Sequence, residues 1–181
     1  MLAELAKSQH AARDRALFIL GLRAGFRITE LLSLRVGDLI QNGNCVKFVT
    51  VEKRNMKKKR ASRSVVLHPE AAAALILQIN ELIRQGMGGG ATFIFQSRHG
   101  ENKALSRKQA WAILKATYVK LGLTGKLGTH GMRKTFCKRI YAALKNDLIR
   151  TQELMGHTDI NTTRKYLSFE QADLDEAVLK S

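Results

Sequence analysis

The sequence predicts a mainly helical α+β protein with a small antiparallel β-sheet packed on helices. Several segments place apolar residues at the three- and four-residue spacing of an amphipathic helix. Two further segments are rich in β-branched residues and flank a short basic connection, which indicates a β-hairpin. With 181 residues the chain is long enough to bury a hydrophobic core. We therefore expect residues 1–181 to form a single domain.

The first half of the chain is predicted to contain three helices and the hairpin. Helices are expected at residues 12–25, where a glycine ends the pattern, and at 27–34, before a break at VGD. The hairpin strands are expected at 44–52 and 64–68, and their connection holds seven basic residues in eleven. Pro69 then opens a helix that stops at a glycine cluster.

The second half is predicted to be almost entirely helical. FIF at residues 93–95 indicates a short strand, and Ser106 is a favourable cap for the helix that follows it. Three more segments carry a helical pattern, at residues 129–145, 147–156 and 169–180.

The composition indicates a polyanionic partner. Lysine and arginine number 31 against 15 acidic residues, which gives a formal charge of +16 and a pI near 10.3. A surface this positive attracts nucleic acid, although a ribosome-like or merely basic protein has the same balance. Cys45 and Cys137 lack metal-ligand spacing and are interpreted as reduced thiols. No membrane segment or signal peptide is evident in the sequence, and we expect a cytoplasmic location.

Several residues are placed for phosphate chemistry. Arg27 starts a predicted helix, while His130 and Arg133 share one face at the head of another. His157 and Tyr166 enclose a polar run, GHTDINTTRKYL, which we interpret as a short connection that presents the tyrosine rather than burying it. The sequence has no HExxH motif, no phosphate-binding GxxxxGK[ST] loop and no carboxylate cluster. The predicted chemistry therefore uses no metal and no other cofactor.

Three segments together resemble the signature boxes of the tyrosine recombinase (phage integrase) family: GLRAGFRITELLSLRVGDL, THGMRKTF and LMGHTDINTTRKYL. The resemblance extends over residues 12–178. It implies a catalytic domain of that family, which cuts and rejoins DNA strands through a 3′-phosphotyrosyl intermediate without metal or ATP. It also implies roles in DNA integration and recombination, as in mobile elements.

The resemblance assigns roles to individual residues. Tyr166 matches the nucleophile, and Glu30 matches an acidic residue that orients the first arginine. The other matched catalytic positions are Arg27, His130, Arg133 and His157. The family lysine lies in the hairpin, where Lys53, Lys57, Lys58 and Lys59 compete, and we favour Lys57 as the general acid. The remaining hairpin cations are expected to contact DNA, and they are Lys53, Arg54, Lys58, Lys59, Arg60 and Arg63.

Two other functions use the same features. A type IB topoisomerase-like relaxing enzyme shares the site, and a non-catalytic DNA-binding module shares the charge. The complete residue set argues against the module, since binding does not require Tyr166. We expect double-stranded DNA as partner, a tetramer on two DNA sites, a monomer or weak oligomer without DNA, and no membrane association.

The two ends of the sequence lead to two further expectations. Family members usually carry an N-terminal core-binding domain, and we expect that domain to be absent here, either because the chain is a fragment or because that half is missing. The tail, residues 168–181, is locally acidic with a narrow apolar stripe. We expect it either to fold back on its own domain or to be exchanged with a neighbouring protomer.

Overall fold

The structure, a computed structural model, describes residues 1–51, 62–125, 127–167 and 178–179. These residues belong to two compact units, Met1–Phe136 and Cys137–Ser181. Helices dominate both units, and two small antiparallel sheets lie in the first. The predicted mainly helical α+β class is therefore confirmed, while the expectation of a single catalytic domain stays a prediction.

The first unit contains most of the described helices. They are α1 (Leu2–Leu5), α2 (Ala11–Ala24), α3 (Ile28–Leu32), α4 (Val36–Leu39), α5 (Pro69–Arg84), α6 (Arg107–Lys120) and the start of α7 (Thr129–Ala143). The predicted break at VGD is wrong, because these residues form α4. The carboxylate of Asp38 accepts a hydrogen bond from the backbone N–H of Arg35 at 2.8 Å, which caps this short helix despite its glycine.

The predicted single hairpin is divided into two sheets. Strand β1 (Ile40–Gln41) pairs with β2 (Asn44–Cys45) through a turn with positive φ at Asn42 and Gly43. Strand β3 (Phe48–Val51) pairs with β4 (Arg63–Val66), with Phe48 opposite Val66. The predicted strand at 44–52 was thus wrong at its start, because the turn at 42–43 folds Asn44 and Cys45 back onto β1.

The predicted strand at 93–95 is also absent from the described sheets. Phe93 forms only an isolated bridge with Arg35, and Gln96 forms another with Ala104. Ile94 and Phe95 are nevertheless buried. The apolar side chains of this segment therefore pack in the hydrophobic core without forming a β-ladder.

Helices α2 and α5 pack against each other at the centre of the first unit. Leu17 and Leu20 of α2 and Leu75 of α5 are fully buried, in the positions that the helical apolar pattern predicts. Each such leucine contributes about 2 kcal/mol through removal of apolar surface from water. This packing fixes the end of α2, where the candidate site begins.

The second unit contains the end of α7, followed by α8 (Leu148–Met155) and α9 (Ile160–Leu167), which pack together. Asp147 caps α8, and Gly156 ends it with a φ of 62°. Our interpretation of residues 156–167 as a connection was wrong, because Ile160–Leu167 form α9. The carboxylate of Asp159 accepts the backbone N–H of Asn161 at 2.9 Å, which starts that helix.

The predicted tail helix at 169–180 lies outside the described residues, apart from a helical assignment at 178–179. Within the described part of the chain, no helix has the length and apolar character that would be needed to cross a membrane.

Candidate active site

The site in the first unit is built around the turn between α2 and α3. Gly25 ends α2 with a φ of 60°, a conformation that L side chains rarely adopt. A Cβ atom at Gly25 would lie 2.1 Å from Cδ1 of Phe136 on α7. The glycine therefore allows the backbone of this turn to approach α7 closely, and it directs the last carbonyl groups of α2 toward that helix.

Arg27 and Glu30 follow this turn as an ion pair. The Glu30 carboxylate accepts the backbone N–H of Arg27 at 2.7 Å and Nη1 of the same residue at 2.9 Å. The Glu30 side chain is 1% exposed and that of Arg27 is 30% exposed. A buried carboxylate requires such partners. The contact fixes the guanidinium of Arg27 while one edge stays accessible, which suits the orienting role expected for Glu30.

Arg133 lies on α7 and is 1% exposed, the largest of the fully buried side chains described. Its Nη1 donates a hydrogen bond to the carbonyl oxygen of Gly25. Carbonyl groups at a helix C-terminus carry partial negative charge, which favours a nearby cation. The turn at Gly25 therefore binds the second predicted arginine of the site.

Arg63 lies with these groups and not on the exposed surface where we expected a DNA contact. It is 8% exposed, and its guanidinium donates to the carbonyl oxygens of Ala24 at 3.1 Å and Gly25 at 3.3 Å. It also lies over the ring of Phe26, at 4.9 Å from the centroid. Burial, followed by the charge of Arg133, lowers the pKa of Arg63 to about 9, while Glu30 opposes that change.

His130 occupies the first turn of α7, three residues before Arg133, and it keeps an exposed edge. Its pKa is lowered from the ordinary value by partial burial, and further by the charges of Arg133 and Arg27. The imidazole is therefore neutral at neutral pH, in the form that can both accept and donate a proton.

These groups form one electrostatic cluster, which we call the arginine cluster: Arg27, Arg63, Arg133 and Glu30. Three guanidinium groups and one carboxylate leave an excess of two positive charges. Such an arrangement favours an anion, and the planar fork of an arginine matches the oxygens of a phosphate. Among the described residues, no group of three or more His, Cys, Asp or Glu side chains is placed to hold a metal ion.

The second unit brings His157 and Tyr166 together. Gly156 ends α8 in the left-handed conformation, and His157 follows it, 6% exposed. The rings of His157 and Tyr166 are 5.1 Å apart between centroids and tilted by 34°. Nδ1 of His157 forms a hydrogen bond of 2.8 Å with Oγ1 of the buried Thr163. When the hydroxyl donates, the ring hydrogen lies on Nε2, which is then the donor of the imidazole.

The structure thus describes five of the six predicted catalytic residues. Lys57, the sixth, and the predicted DNA-contacting residues Lys53, Arg54, Lys58, Lys59 and Arg60 lie outside the described residues. Sequence reasoning missed the contributions of Gly25 and Thr163. A glycine at a predicted helix end could have indicated the positive φ of Gly25. Nothing in the sequence indicated the contact between Thr163 and His157.

Known proteins resemble this chain over nearly its whole length. Tyrosine recombinase XerC of Roseiflexus castenholzii is 34% identical over 158 residues, which are 85% of this chain and 46% of that protein. Probable integrase/recombinase YoeC of Bacillus subtilis is 29% identical over 159 residues, 88% of this chain and 79% of that protein. The chain spans about half the length of the XerC and XerD relatives it matches.

A solved structure shares the fold as well. The XerH site-specific recombinase, in a post-cleavage complex with a palindromic difH substrate, superposes with a TM-score of 0.73 at 26% identity. The match covers 98% of this chain and 49% of that one. The model of the phage integrase family matches residues 1–172, and this chain belongs to that family.

Proposed function

We propose that this chain is the catalytic part of a site-specific DNA recombinase or integrase, which cuts and rejoins DNA through a phosphotyrosyl intermediate. The observation that carries the proposal is the combination of a buried, net positive arginine cluster with a tyrosine held against a histidine, in a chain of this family. The recombinase and integrase names of its relatives support recombination over DNA relaxation.

Within the arginine cluster, Arg27 and Arg133 bind the scissile phosphate. Arg27 offers an accessible guanidinium edge that Glu30 holds in place, and Arg133 is fixed against the Gly25 carbonyl. As the phenolic oxygen of Tyr166 attacks phosphorus, negative charge grows on the non-bridging oxygens. Cations that are already oriented stabilise this charge without reorganisation, which is the main source of catalysis in such sites.

The bond between phosphorus and the 5′ oxygen then breaks, and that oxygen leaves as a hydroxyl after it gains a proton. We assign this proton to Lys57 as general acid. The neutral imidazole of His130 accepts the proton that the Tyr166 hydroxyl loses, and His157 donates a hydrogen bond from Nε2 to a phosphate oxygen. Because one phosphate ester replaces another, religation by the free hydroxyl reverses the step without ATP.

Double-stranded DNA is the proposed partner, consistent with the difH substrate bound to the structurally similar XerH. The net charge of +16 favours this partner electrostatically. We propose that recombination requires four protomers on two DNA sites, with the tail at residues 168–181 as the candidate contact between protomers, and that the chain without DNA is monomeric or weakly associated.

The test uses nicked suicide DNA, in which cleavage releases a short fragment that carries the free 5′-hydroxyl. This fragment diffuses away, so religation is prevented and the covalent product accumulates. Wild-type protein is incubated with candidate sites, and denaturing gels detect a protein–DNA adduct. Tyr166→Phe is the matched control, because it keeps the ring and removes only the hydroxyl. An adduct with wild type and none with Tyr166→Phe supports the proposal. A Tyr166→Phe protein that still forms the adduct refutes the assigned nucleophile.

A further inference from the structure

Arg63 is held by more contacts than an arginine on a DNA-facing surface needs. Two backbone carbonyl groups, those of Ala24 and Gly25, accept from its two terminal nitrogens, and the Phe26 ring lies against its face. The side chain comes from strand β4, 38 residues beyond Gly25 in sequence. These contacts fix the guanidinium in both position and plane.

The carbonyl oxygen of Gly25 is shared between two arginines. It accepts from Nη1 of Arg63 and from Nη1 of Arg133, which uses both of its lone pairs. Two buried cations at one acceptor repel each other, so the arrangement persists only if each is also constrained elsewhere. For Arg63 the second constraints are the Ala24 carbonyl and the Phe26 ring.

We propose that Arg63 is a positioning residue, which holds the Gly25 carbonyl and thereby fixes the guanidinium of Arg133 in the orientation that binds the scissile phosphate. Binding of a phosphate by Arg133 rests on the proposed function, whereas the fixed orientation of the Arg133 guanidinium does not. Arg63 contacts the backbone of the turn, and it acts on the reaction only through Arg133.

Lysine cannot replace Arg63 in this role. A lysine ammonium keeps the positive charge but has no planar fork, so it cannot bind two neighbouring carbonyl groups and stack on a ring at once. Arg63→Lys therefore removes the planar hydrogen-bonding geometry and keeps the positive charge. Arg63→Met removes both while it retains an apolar stem over Phe26.

Arg35 supplies a matched control in the same unit. Its guanidinium lies over the Phe93 ring, at 4.1 Å from the centroid, and it donates to the carbonyl oxygen of Ala91. Arg35→Met thus removes the same kind of contacts, a ring and a backbone carbonyl, outside the arginine cluster. Its effect measures the general cost of losing such an arginine.

The first experiment requires no DNA. Side-chain N–H signals of Arg133 are identified in NMR spectra by their loss in Arg133→Lys, and their hydrogen exchange with water is measured. We expect exchange at least about tenfold faster in Arg63→Lys and Arg63→Met, since a charge-assisted hydrogen bond is loosened. We expect no change in Arg35→Met. If Arg63→Lys folds and the Arg133 N–H groups exchange at the wild-type rate, the proposal is overturned. This result is decisive even if Arg63→Met fails to fold.

The second experiment measures adduct formation on suicide DNA at saturating protein. Arg63→Lys is expected to slow cleavage by about tenfold while DNA affinity changes little. In an Arg133→Ala background the same substitution should have almost no further effect, because its action passes through Arg133. Equal effects in both backgrounds overturn the proposal. If wild type forms no adduct with any DNA, the proposed function fails, and the exchange measurement alone decides the role of Arg63.

Discussion

Replacement of Gly25 by alanine tests whether the close approach at this turn builds the site. Alanine in the left-handed conformation costs about 1 kcal/mol. The added Cβ would also lie 2.1 Å from Cδ1 of Phe136, so the ring or the backbone must move. Overpacking of this kind costs about 1–3 kcal/mol. We therefore expect Gly25→Ala to lower the free energy of unfolding by about 2–4 kcal/mol.

Gly43 offers a matched control for the backbone contribution. It has a φ of 76°, but a Cβ there would meet no atom within 4 Å. Gly43→Ala should therefore cost only about 1 kcal/mol. Urea denaturation of both variants measures the difference directly, and the melting temperature should fall by about 2–4 °C per kcal/mol for a chain of this size. Equal destabilisation by the two substitutions would refute the steric reasoning.

A second substitution separates the ring from the backbone. Phe136→Leu in the Gly25→Ala protein makes room for the new methyl group, so the double variant should recover part of the lost stability. Because the Gly25 carbonyl accepts from Arg133, Gly25→Ala should also slow covalent adduct formation more than it weakens DNA binding. A Gly25→Ala protein that is destabilised but cleaves suicide DNA at the wild-type rate would show that this turn does not orient Arg133.

Four further predictions concern Thr163, His130, the salt dependence of DNA binding and the independence from metal. Thr163→Val should slow cleavage by about tenfold with little change in DNA affinity, because the 2.8 Å contact that orients His157 is lost; Thr162→Val is the control. The pKa of His130 is lower in the folded protein than in the unfolded chain, so protonation at low pH favours unfolding. As the pH falls from about 7 to about 5, the free energy of unfolding should therefore decrease more in wild type than in His130→Gln. Above about pH 7 the difference between the two proteins should stay constant. DNA affinity should fall steeply with added salt, while adduct formation should persist in excess EDTA; a salt-independent affinity or complete loss of activity in EDTA would contradict these expectations.

The sequence was sufficient to predict the long apolar helices, but not the turns, the short helix α4 or the polar helix α9. The long helices at α2, α5 and α6 follow apolar patterns and clear caps, so local physics determines them. The division of the hairpin depends on the turn at Asn42–Gly43, a short local signal within a longer β-rich segment. The helix that carries Tyr166 was missed because α9 is polar on most faces, and only Thr163 and Leu167 are buried in it.

The site residues illustrate the same limit. Arg27, His130 and Arg133 were predicted from their spacing in short motifs, which sequence displays directly. Arg63 was grouped with the hairpin cations because it ends the basic segment at residues 53–63. Its burial depends on the carbonyl groups of a turn 38 residues away, and a contact of that separation leaves no pattern in one sequence.

The use of backbone carbonyls, rather than a second carboxylate, has an electrostatic consequence. Burial of a guanidinium requires that its hydrogen bonds be satisfied, and a carboxylate would do this while it cancelled the positive charge. The carbonyls of Ala24 and Gly25 satisfy Arg63 and Arg133 with partial charges only. Glu30 carries the single formal negative charge in the cluster, and its carboxylate forms an ion pair with Arg27. Arg133 therefore keeps its charge for an incoming anion, and Arg63 beside it is held without a neutralising acid. A second carboxylate at this turn would cancel one of these charges and weaken the attraction for a phosphate.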